Sequence, residues 1–450
     1  MRLRQALNIQ RGDLVSFVGA GGKSSALFRL GNELAAEGWR VVGTTTTYVN
    51  ADGLLRAPGV LDVSVGLRPA AISRMLTQHG FIYLYSKVVG EQALGIAPEQ
   101  AATLADLVDS DVTLVEADTA DGLPFKAPYP SQPVIPEGTS LVVPMASMDV
   151  IGKPLEERYV YNLQAIIDQF GYPYAEKIKP PWIASVVRDE VLGLKDIPDS
   201  ARIVPILTKV QRGGYSRLRA RLTARLTLIN SRIHGVAMGD LGAADPIYEV
   251  RRRVGAVILA GGLSSRMGES KVLMKWDDRP IINTIIDKLR RARVEQIVVV
   301  TGHWAAEVRS VVAKEGVTVT HNAGYMRGDM LSSLQAGIRA LTPEMSGMLV
   351  YLGDQPHLDI RVINDVLNAY AEGKGTIIAP SYQMKRGHPI LIDRAYWSEL
   401  LELPIDGSPR EVINRHAGSI GYVVTKDDSI LRDIDTPEDY ARERRLAGLK

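Results

Sequence analysis

Twice along this chain an apolar strand runs straight into a glycine-rich loop and then into a helical pattern. The first is Leu14–Val18 followed by Gly19-Ala20-Gly21-Gly22-Lys23-Ser24-Ser25. The second is Val257-Ile258-Leu259-Ala260 followed by Gly261-Gly262-Leu263-Ser264-Ser265-Arg266-Met267-Gly268-Glu269-Ser270-Lys271. A strand–loop–helix start of this kind commits its surroundings to a sheet with helices packed on it. The two loops differ in spacing, so they are no internal repeat; each opens a domain of its own. At 450 residues the chain also exceeds what one core ordinarily holds. Between the two starts lies Gly239-Asp240-Leu241-Gly242-Ala243-Ala244-Asp245-Pro246, with Arg251-Arg252-Arg253 after it. Glycine, proline and charge mark a boundary there, and the three arginines read as a solvated linker rather than a phosphate patch. The expectation is α/β with two domains: residues 1–248, P-loop-like, and residues 249–450, Rossmann-like, each with a mostly parallel sheet.

Strands alternating with helices carry that expectation. In the first domain the strand candidates are Leu14–Val18, Arg40–Gly43, Thr113–Ala117, Leu141–Val143, Ile183–Val187 and Ile203–Leu207, with helices at Ser24–Glu37 and Ala101–Val108. Pro124 to Pro136 is proline-rich and reads as an irregular surface loop. In the second domain the candidates are Ala256–Leu259, Gln296–Val300, Val317–Thr320, Met348–Leu352, Thr376–Ala379, Pro389–Leu391 and Tyr422–Val424.

Composition narrows the class. The absence of cysteine excludes disulfides, thiolate zinc sites and cysteine-ligated clusters. A net charge of +2 argues against nucleic acid or an anionic membrane as the main partner. No 18-residue apolar run occurs, and Met1-Arg2-Leu3-Arg4-Gln5 lacks an apolar signal core. The expectation is a soluble, cytoplasmic protein.

The first loop is a shortened P-loop, Gly-x-x-Gly-Lys-Ser, in its strand–helix context. Backbone N–H groups of Gly19, Gly21 and Gly22 and the helix start at Ser24 and Ser25 suit phosphate; Lys23 would neutralise charge and Ser24 could hold Mg²⁺. Thr44-Thr45-Thr46-Thr47 ends the second strand, either as a phosphate or metal contact through Thr45 or as a polar turn. Glu116 and Asp118 end another strand, where an acid such as Asp118 can face a P-loop metal. Lys126 can reach the same mouth.

In the second loop, bare glycine N–H groups and two cations, Arg266 and Lys271, suit a triphosphate. Asp354 follows Met348-Leu349-Val350-Tyr351-Leu352 at a strand's C-terminal end, where Mg²⁺ is expected. Asp433 and Asp435 are two apart, so in an extended segment both face one side, and one of them can complete that metal site. Thr436 and Pro437 then read as the cap and first residue of a helix.

The second loop and the blocks after it resemble the molybdenum cofactor nucleotidyltransferases, the cytidylyltransferase branch in particular. The blocks are Val300-Thr301-Gly302-His303, Asn322-Ala323-Gly324-Tyr325-Met326-Arg327-Gly328-Asp329-Met330-Leu331-Ser332-Ser333-Leu334, Leu352-Gly353-Asp354-Gln355-Pro356, Arg386-Gly387-His388-Pro389 and Asp433-Ile434-Asp435-Thr436-Pro437-Glu438-Asp439-Tyr440. The resemblance implies transfer of a nucleotide from a triphosphate to the phosphate of molybdopterin, with release of pyrophosphate. It implies Leu259, Ala260, Gly261, Gly262 and Ser264 on the nucleotide. Arg266, Lys271, Asp354 and Asp435 carry catalysis, and Asp354, Asp433 and Asp435 are the candidate Mg²⁺ ligands. Asn322, Ser332, Ser333, Arg386 and His388 line the acceptor side, His388 either as a pterin contact or as a packed loop histidine. His303 reads as ordering a turn. Leu259-Ala260-Gly261-Gly262 points to GTP, whereas the other blocks point to CTP, the expected substrate. A sugar-phosphate nucleotidyltransferase shares the loop and Asp354 but not Arg386-Gly387-His388-Pro389.

The first domain, over about residues 10 to 240, resembles the selenium-dependent hydroxylase accessory protein YqeC, through its loop, threonine run, Glu116-Ala117-Asp118, Lys126-Ala127-Pro128 and Asp149-Val150-Ile151-Gly152-Lys153-Pro154. It departs at Thr119, where glycine is expected, and at Ile206-Leu207-Thr208-Lys209-Val210, where a base-reading Asn-Lys-x-Asp would stand. The resemblance implies an accessory nucleotide-binding role, with or without turnover, and a molybdenum hydroxylase as client.

Overall fold

Runs of Val, Ile and Leu without polar alternation demand burial on both faces, as in parallel sheets covered by helices. The computed structural model, which describes every residue except 264–266, 327–329, 405 and 450, meets that demand twice. The chain divides into two units, Met1–Arg251 and Arg252–Lys450.

In the first unit the main strands are β1 (Leu14–Gly19), β2 (Val41–Thr45), β3 (Gly59–Asp62), β4 (Phe81–Tyr85), β5 (Val112–Glu116), β6 (Leu141–Ser147), β7 (Ile206–Thr208), β8 (Val236–Gly239) and β9 (Ile247–Arg251). They lie in the order β9-β8-β7-β6-β1-β5-β2-β4-β3. All these pairings are parallel except β8 with β9. Alternate residues of β1 feed opposite cores. Leu14 and Val18 join one, and Val15 and Phe17 the other. Helix α1 (Lys23–Ala36) follows the first glycine loop.

In the second unit β10 (Val254–Ala260), β11 (Gln296–Thr301), β12 (Thr318–His321), β13 (Gly347–Leu352), β14 (Ile377–Tyr382), β15 (Lys385–Arg386) and β16 (Ile390–Asp393) form the order β12-β11-β10-β13-β16-β14-β15, and β17 (Ile420–Val424) pairs with β14. Pairings around β10 are parallel; β16 runs antiparallel between β13 and β14. Ala256 and Ile258 pack on one side, Val257 on the other.

Four expectations need correction. Ile183–Val187 is no strand; it lies in helix α2 (Pro180–Arg188), which has proline in its first turn. A five-residue apolar run cannot be told from a helix face by periodicity, and the Pro180-Pro181 start was the deciding signal. The strand expected at Ile203–Leu207 is divided into Arg202–Ile203 and β7. Pro205 stands in the gap and has no N–H for the ladder. The proline-rich loop is not all surface: Phe125–Lys126 is buried and pairs in parallel with Val160–Tyr161.

The arginine run is not a solvated linker. β9 pairs with β8, Val236 opposite Arg251, which carries the first unit through Arg251. Glu249 on β9 is fully buried and is bound by Arg251 Nε (2.7 Å), by Arg221 Nη2 (2.6 Å) and by Arg217 from helix α3 (Gly214–Thr227). Arg253 is buried in the second unit, and the Arg252 guanidinium lies 5.9 Å from the Tyr370 ring centre.

This places a sharp requirement on truncation. Fragment 1–251 should unfold cooperatively in urea, whereas 1–246, without β9, leaves the Arg217 and Arg221 guanidiniums without their carboxylate. That fragment should lose at least about 3 kcal/mol. Equal midpoints for the two would show β9 to be dispensable. Fragment 252–450, which has its own sheet and cores, should give a cooperative transition by itself.

Candidate functional site

In the first unit the chain passes from β1 to β2, returns to insert β5 between them, and then crosses to β6 and β7 on the other side. Connections leaving β1 and β6 diverge, and such a divergence opens a crevice beyond the C-terminal ends of the strands. The glycine loop lies there. Gly19 has φ +87°, and a Cβ on it would sit 2.4 Å from Met145 O; on Gly21 (φ +84°) it would sit 2.7 Å from the Ser147 backbone N. Only glycine permits so close an approach of loop to β6. Gly22 caps α1 without any side-chain hydrogen bond. The first N–H groups of a helix have no partner within it, which suits them to an anion.

The side chains around this loop form one ionic cluster. Lys23 is buried, and its ammonium donates to Gly19 O at 2.7 Å and lies 3.1 Å from Asp118 and 3.8 Å from Glu116. Ser24 Oγ donates to Glu116 Oε2 at 2.8 Å. Burial pushes the Glu116 carboxyl above its ordinary range, with Lys23 and Ser24 pulling the other way. Asp118 Oδ2 accepts from Gly19 N and from Lys126 Nζ, both at 2.9 Å. Lys126, its pKa lowered chiefly by burial, also donates to Thr119 O and Gln132.

Two sequence expectations change here. Asp118, held by two lysines and a backbone N–H, is the organiser of the loop; the acid that meets Ser24 is Glu116. Thr45 is fully buried, its hydroxyl donated to Glu116 O at 2.7 Å and accepting from Thr47 N. It braces β2 against β5 and has no open face for a nucleotide. Ser25 is half-buried beside Arg56. A cleft of about 570 Å³ opens from Gly21–Ser25 and Glu116 toward Tyr48, Asn50, Glu91, Gln92 and residues 119–123.

In the second unit β10 ends at the second glycine loop, between β11 and β13. Leu259 is half-buried and Ala260 buried, while Gly262 is exposed. Ser264 and Arg266 lie outside the described residues. Lys271 Nζ lies 2.5 Å from Asp435 Oδ1 and 3.8 Å from Asp354 Oδ2. Asp354 follows β13 on a turn pressed against β10: Gly353 N donates to Leu259 O at 3.1 Å, and a Cβ there would lie 2.7 Å from that oxygen. Burial raises the Asp354 carboxyl to about 6, with help from Asp433 and Asp435 and against Lys271. Its Oδ1 is buried and has no hydrogen-bond partner among the described residues.

Asp433 is engaged differently. Its Oδ1 accepts from Gln355 Nε2 at 2.8 Å, and the same amide reaches Arg432 O at 3.3 Å. Gln355, itself buried, was missed by the sequence reading although it adjoins Asp354 in the same block. Among the described residues no three His, Asp or Glu side chains converge as a ready metal cage. Lys271 instead takes the position between Asp354 and Asp435. Thr436 caps helix α4 (Pro437–Leu446), with its hydroxyl accepting from Asp439 N, and so fixes the turn after Asp435.

Of the residues expected on the acceptor side, Asn322 is buried, and its amide reaches Ser332 Oγ at 2.9 Å and Ser333 Oγ at 3.1 Å. A Cβ added to Gly261 would meet Ser333 Oγ at 3.3 Å. Arg386 is exposed and donates to Asn414 at 2.8 Å. His388 is half-buried, its Nδ1 lies 3.4 Å from Val350 O, and burial lowers its pKa. His303 stands in a turn, edge-on to Trp304.

Residues 15–164 match the family model for the YqeC protein, and residues 256–420 that for the MobA-like NTP transferase domain. The chain is 29% identical over 194 residues to the molybdenum cofactor cytidylyltransferase of Escherichia coli (strain K12), covering 42% of this chain and 96% of that one. It is 29% identical over 195 residues to YqeC of the same organism, covering 43% and 75%. A solved structure, the Mycobacterium tuberculosis rv0371c homolog from Mycobacterium sp. strain JC1, is similar over 44% of this chain and 98% of its own, with 27% identity and a TM-score of 0.39. No helix among the described residues is long and apolar enough to cross a membrane.

The raised Asp354 carboxyl has a consequence for stability. A group whose folded pKa of about 6 exceeds its ordinary 3.8 binds its proton more tightly when folded. It therefore opposes folding progressively as pH rises through that window. Asp354→Asn removes the ionisable group. It should stabilise the chain by about 1–3 kcal/mol at pH 8, with the difference fading below pH 4. Urea titrations at the two pH values measure this; a variant less stable at pH 8 would contradict it.

Proposed function

Because this chain joins a YqeC domain to a MobA-like NTP transferase domain and is on that account a nucleotidyltransferase, we propose that its second unit transfers a nucleotide from CTP to the molybdenum cofactor. The observation that carries the proposal is Lys271 held between Asp354 and Asp435 at the C-terminal edge of β10 and β13. A phosphate oxygen of molybdopterin attacks the α-phosphorus, and the bond to the bridging oxygen of pyrophosphate breaks. The attacking phosphate is already ionised, so no protein base or nucleophile is required. Charge grows on the α-phosphate and the leaving group, and cations aimed at those oxygens supply most of the rate. Lys271 serves there, joined by Arg266.

The donor set also fits Mg²⁺. A buried Asp354 oxygen without a hydrogen-bond partner is a metal-seeking group. Asp354 and Asp435 would hold the ion, with phosphate oxygens completing its shell. When bound, Mg²⁺ supplies further neutralisation of phosphate charge. Asp433, fixed by Gln355, keeps negative potential beside Asp354. Asn322, Ser332 and Ser333 present hydroxyl and amide groups to the acceptor, with Arg386 at its edge.

The choice of CTP rests on the resemblance of the blocks at Ser332-Ser333, Arg386–Pro389 and Asp433–Asp435. GTP is the second reading, favoured by Gly261. The first unit is read as an accessory nucleotide-binding domain. Lys23 and the N–H groups of α1 would take the phosphates, and Ser24 with Glu116 the magnesium ion. Its client, on this reading, is a molybdenum hydroxylase.

With molybdopterin as acceptor, Asp354→Ala should lower pyrophosphate release by about 10³-fold or more while leaving the fold intact. Wild-type turnover in that variant would sink the assignment. The ratio of kcat/KM for CTP over GTP should exceed one, and a preference for GTP would decide for the second reading. Equilibrium binding of labelled ATP and GTP should be lost in Lys23→Ala in the Asp354→Ala background; unchanged binding would make the first loop purely structural.

A further inference from the structure

The cleft of the first unit is not where the strand order puts a nucleotide. The diverging connections leave β1 and β6, so a nucleotide on the loop lies toward that side. Ser24 and Glu116 then stand at its terminal phosphate. The cleft begins at that point and runs the other way, over the ends of β5 and β2, to Tyr48, Asn50, Glu91, Gln92 and Asp121. No residue of β6, β7 or β8, or of the loops after them, is among its described lining. At about 570 Å³ it has the size of a small-molecule site. Beyond Lys23 its described lining carries no basic side chain, and its far wall presents Glu91 and Asp121 among neutral polar groups. Such a wall repels a second phosphate chain and accepts hydrogen bonds from hydroxyl or ammonium groups.

We propose that the first unit is a phosphoryl transferase whose acceptor, a small neutral or cationic molecule bearing hydroxyl groups, occupies this cleft. The proposal rests on the nucleotide-binding reading of the loop given above. The acceptor hydroxyl oxygen bonds to the γ-phosphorus of the bound triphosphate as the bond from that phosphorus to the β,γ-bridging oxygen breaks. The nucleoside diphosphate leaves with the bridging oxygen, and the hydroxyl proton passes to the Asp121 carboxylate. Asp121 is exposed on the turn closing the cleft, and Tyr48 Oη donates to its Oδ1 at 2.7 Å, which aims the second carboxylate oxygen.

The test uses the full chain carrying Asp354→Ala, which silences the second site. Nucleotide binding is measured first, with ATP and GTP, and only the binding that Lys23→Ala removes is assigned to the first unit. Absence of binding refutes the loop reading itself and is thereby distinguished from failure of the transfer proposal. With γ-labelled nucleotide bound, ribose, cytidine and ethanolamine are supplied as probes, and labelled organic phosphate is separated from inorganic phosphate and pyrophosphate. The expected result is label on at least one probe, with Asp121→Asn lowering its formation by about 10²-fold or more and nucleotide affinity unchanged. Bound nucleotide with label released only to water, or not at all, overturns the proposal. So does an Asp121→Asn or Glu91→Gln variant that loses nucleotide affinity, since the cleft would then hold the nucleotide itself.

Discussion

Each unit depends on a lysine at the end of a glycine loop, held between two carboxylates, at least one of which comes from the C-terminal end of the neighbouring parallel strand. In the first, Lys23 lies against Asp118 and Glu116; in the second, Lys271 lies against Asp435 and Asp354. Parallel strands make this pairing possible, because they bring the C-terminal ends of several strands to one edge. Glycine makes it close, because the loop must touch the neighbouring strand. The cation satisfies carboxylates that would otherwise repel one another in a poorly hydrated place. On the proposed reading those same carboxylates and cation are the groups that a magnesium triphosphate would engage, so the arrangement stores the charges of the liganded state in the protein alone.

The two clusters differ in how firmly they are tied. Lys23 is buried, and Asp118 is further bound by Lys126 and Gly19 N. Lys271 and Asp435 are more exposed, and one Asp354 oxygen has no hydrogen-bond partner among the described residues. The second cluster is thus less fully compensated, and burial, with Asp433 and Asp435 adding to it, raises the Asp354 carboxyl. A site that must exchange protein charge for substrate charge gains from such an imbalance, whereas a fully compensated one resists it.

Both starts of the fold were legible because glycine, lysine and a preceding apolar run combine local and global signals in a few residues. The central strands of the second domain, β10, β11 and β13, were legible for the same reason: each is a buried apolar run. What escaped was decided by contacts distant in sequence. Nothing local distinguishes Glu116 from Asp118; only the reach of Ser24 and of Lys126 across the loop divides their roles. Thr45 has a hydroxyl fit for phosphate, and β5 consumes it. Arg251 looks solvated until Glu249, two positions earlier, proves to be its buried counterion. Gln355 was hidden behind Asp354, since an amide beside a conspicuous carboxylate carries no periodicity of its own.

Base choice shows why a loop read alone misleads. Gly261 suggests extra room for a purine, as though a methyl there would project into the nucleotide. Built on the backbone, that methyl meets Ser333 Oγ at 3.3 Å and the Thr301–Gly302 peptide at 3.4 Å. Ser333 is in turn held by Asn322, which also holds Ser332. A methyl at this position therefore acts first on the serine pair. An effect on the base can therefore also pass through the tilt of Ser333 and the start of the helix that carries it. The glycine and the Ser332-Ser333 block, which point to different nucleotides when read one at a time, are two sides of a single contact. An alanine at 261 should then change acceptor affinity together with base preference, and the size of each change depends on how far Ser333 can move.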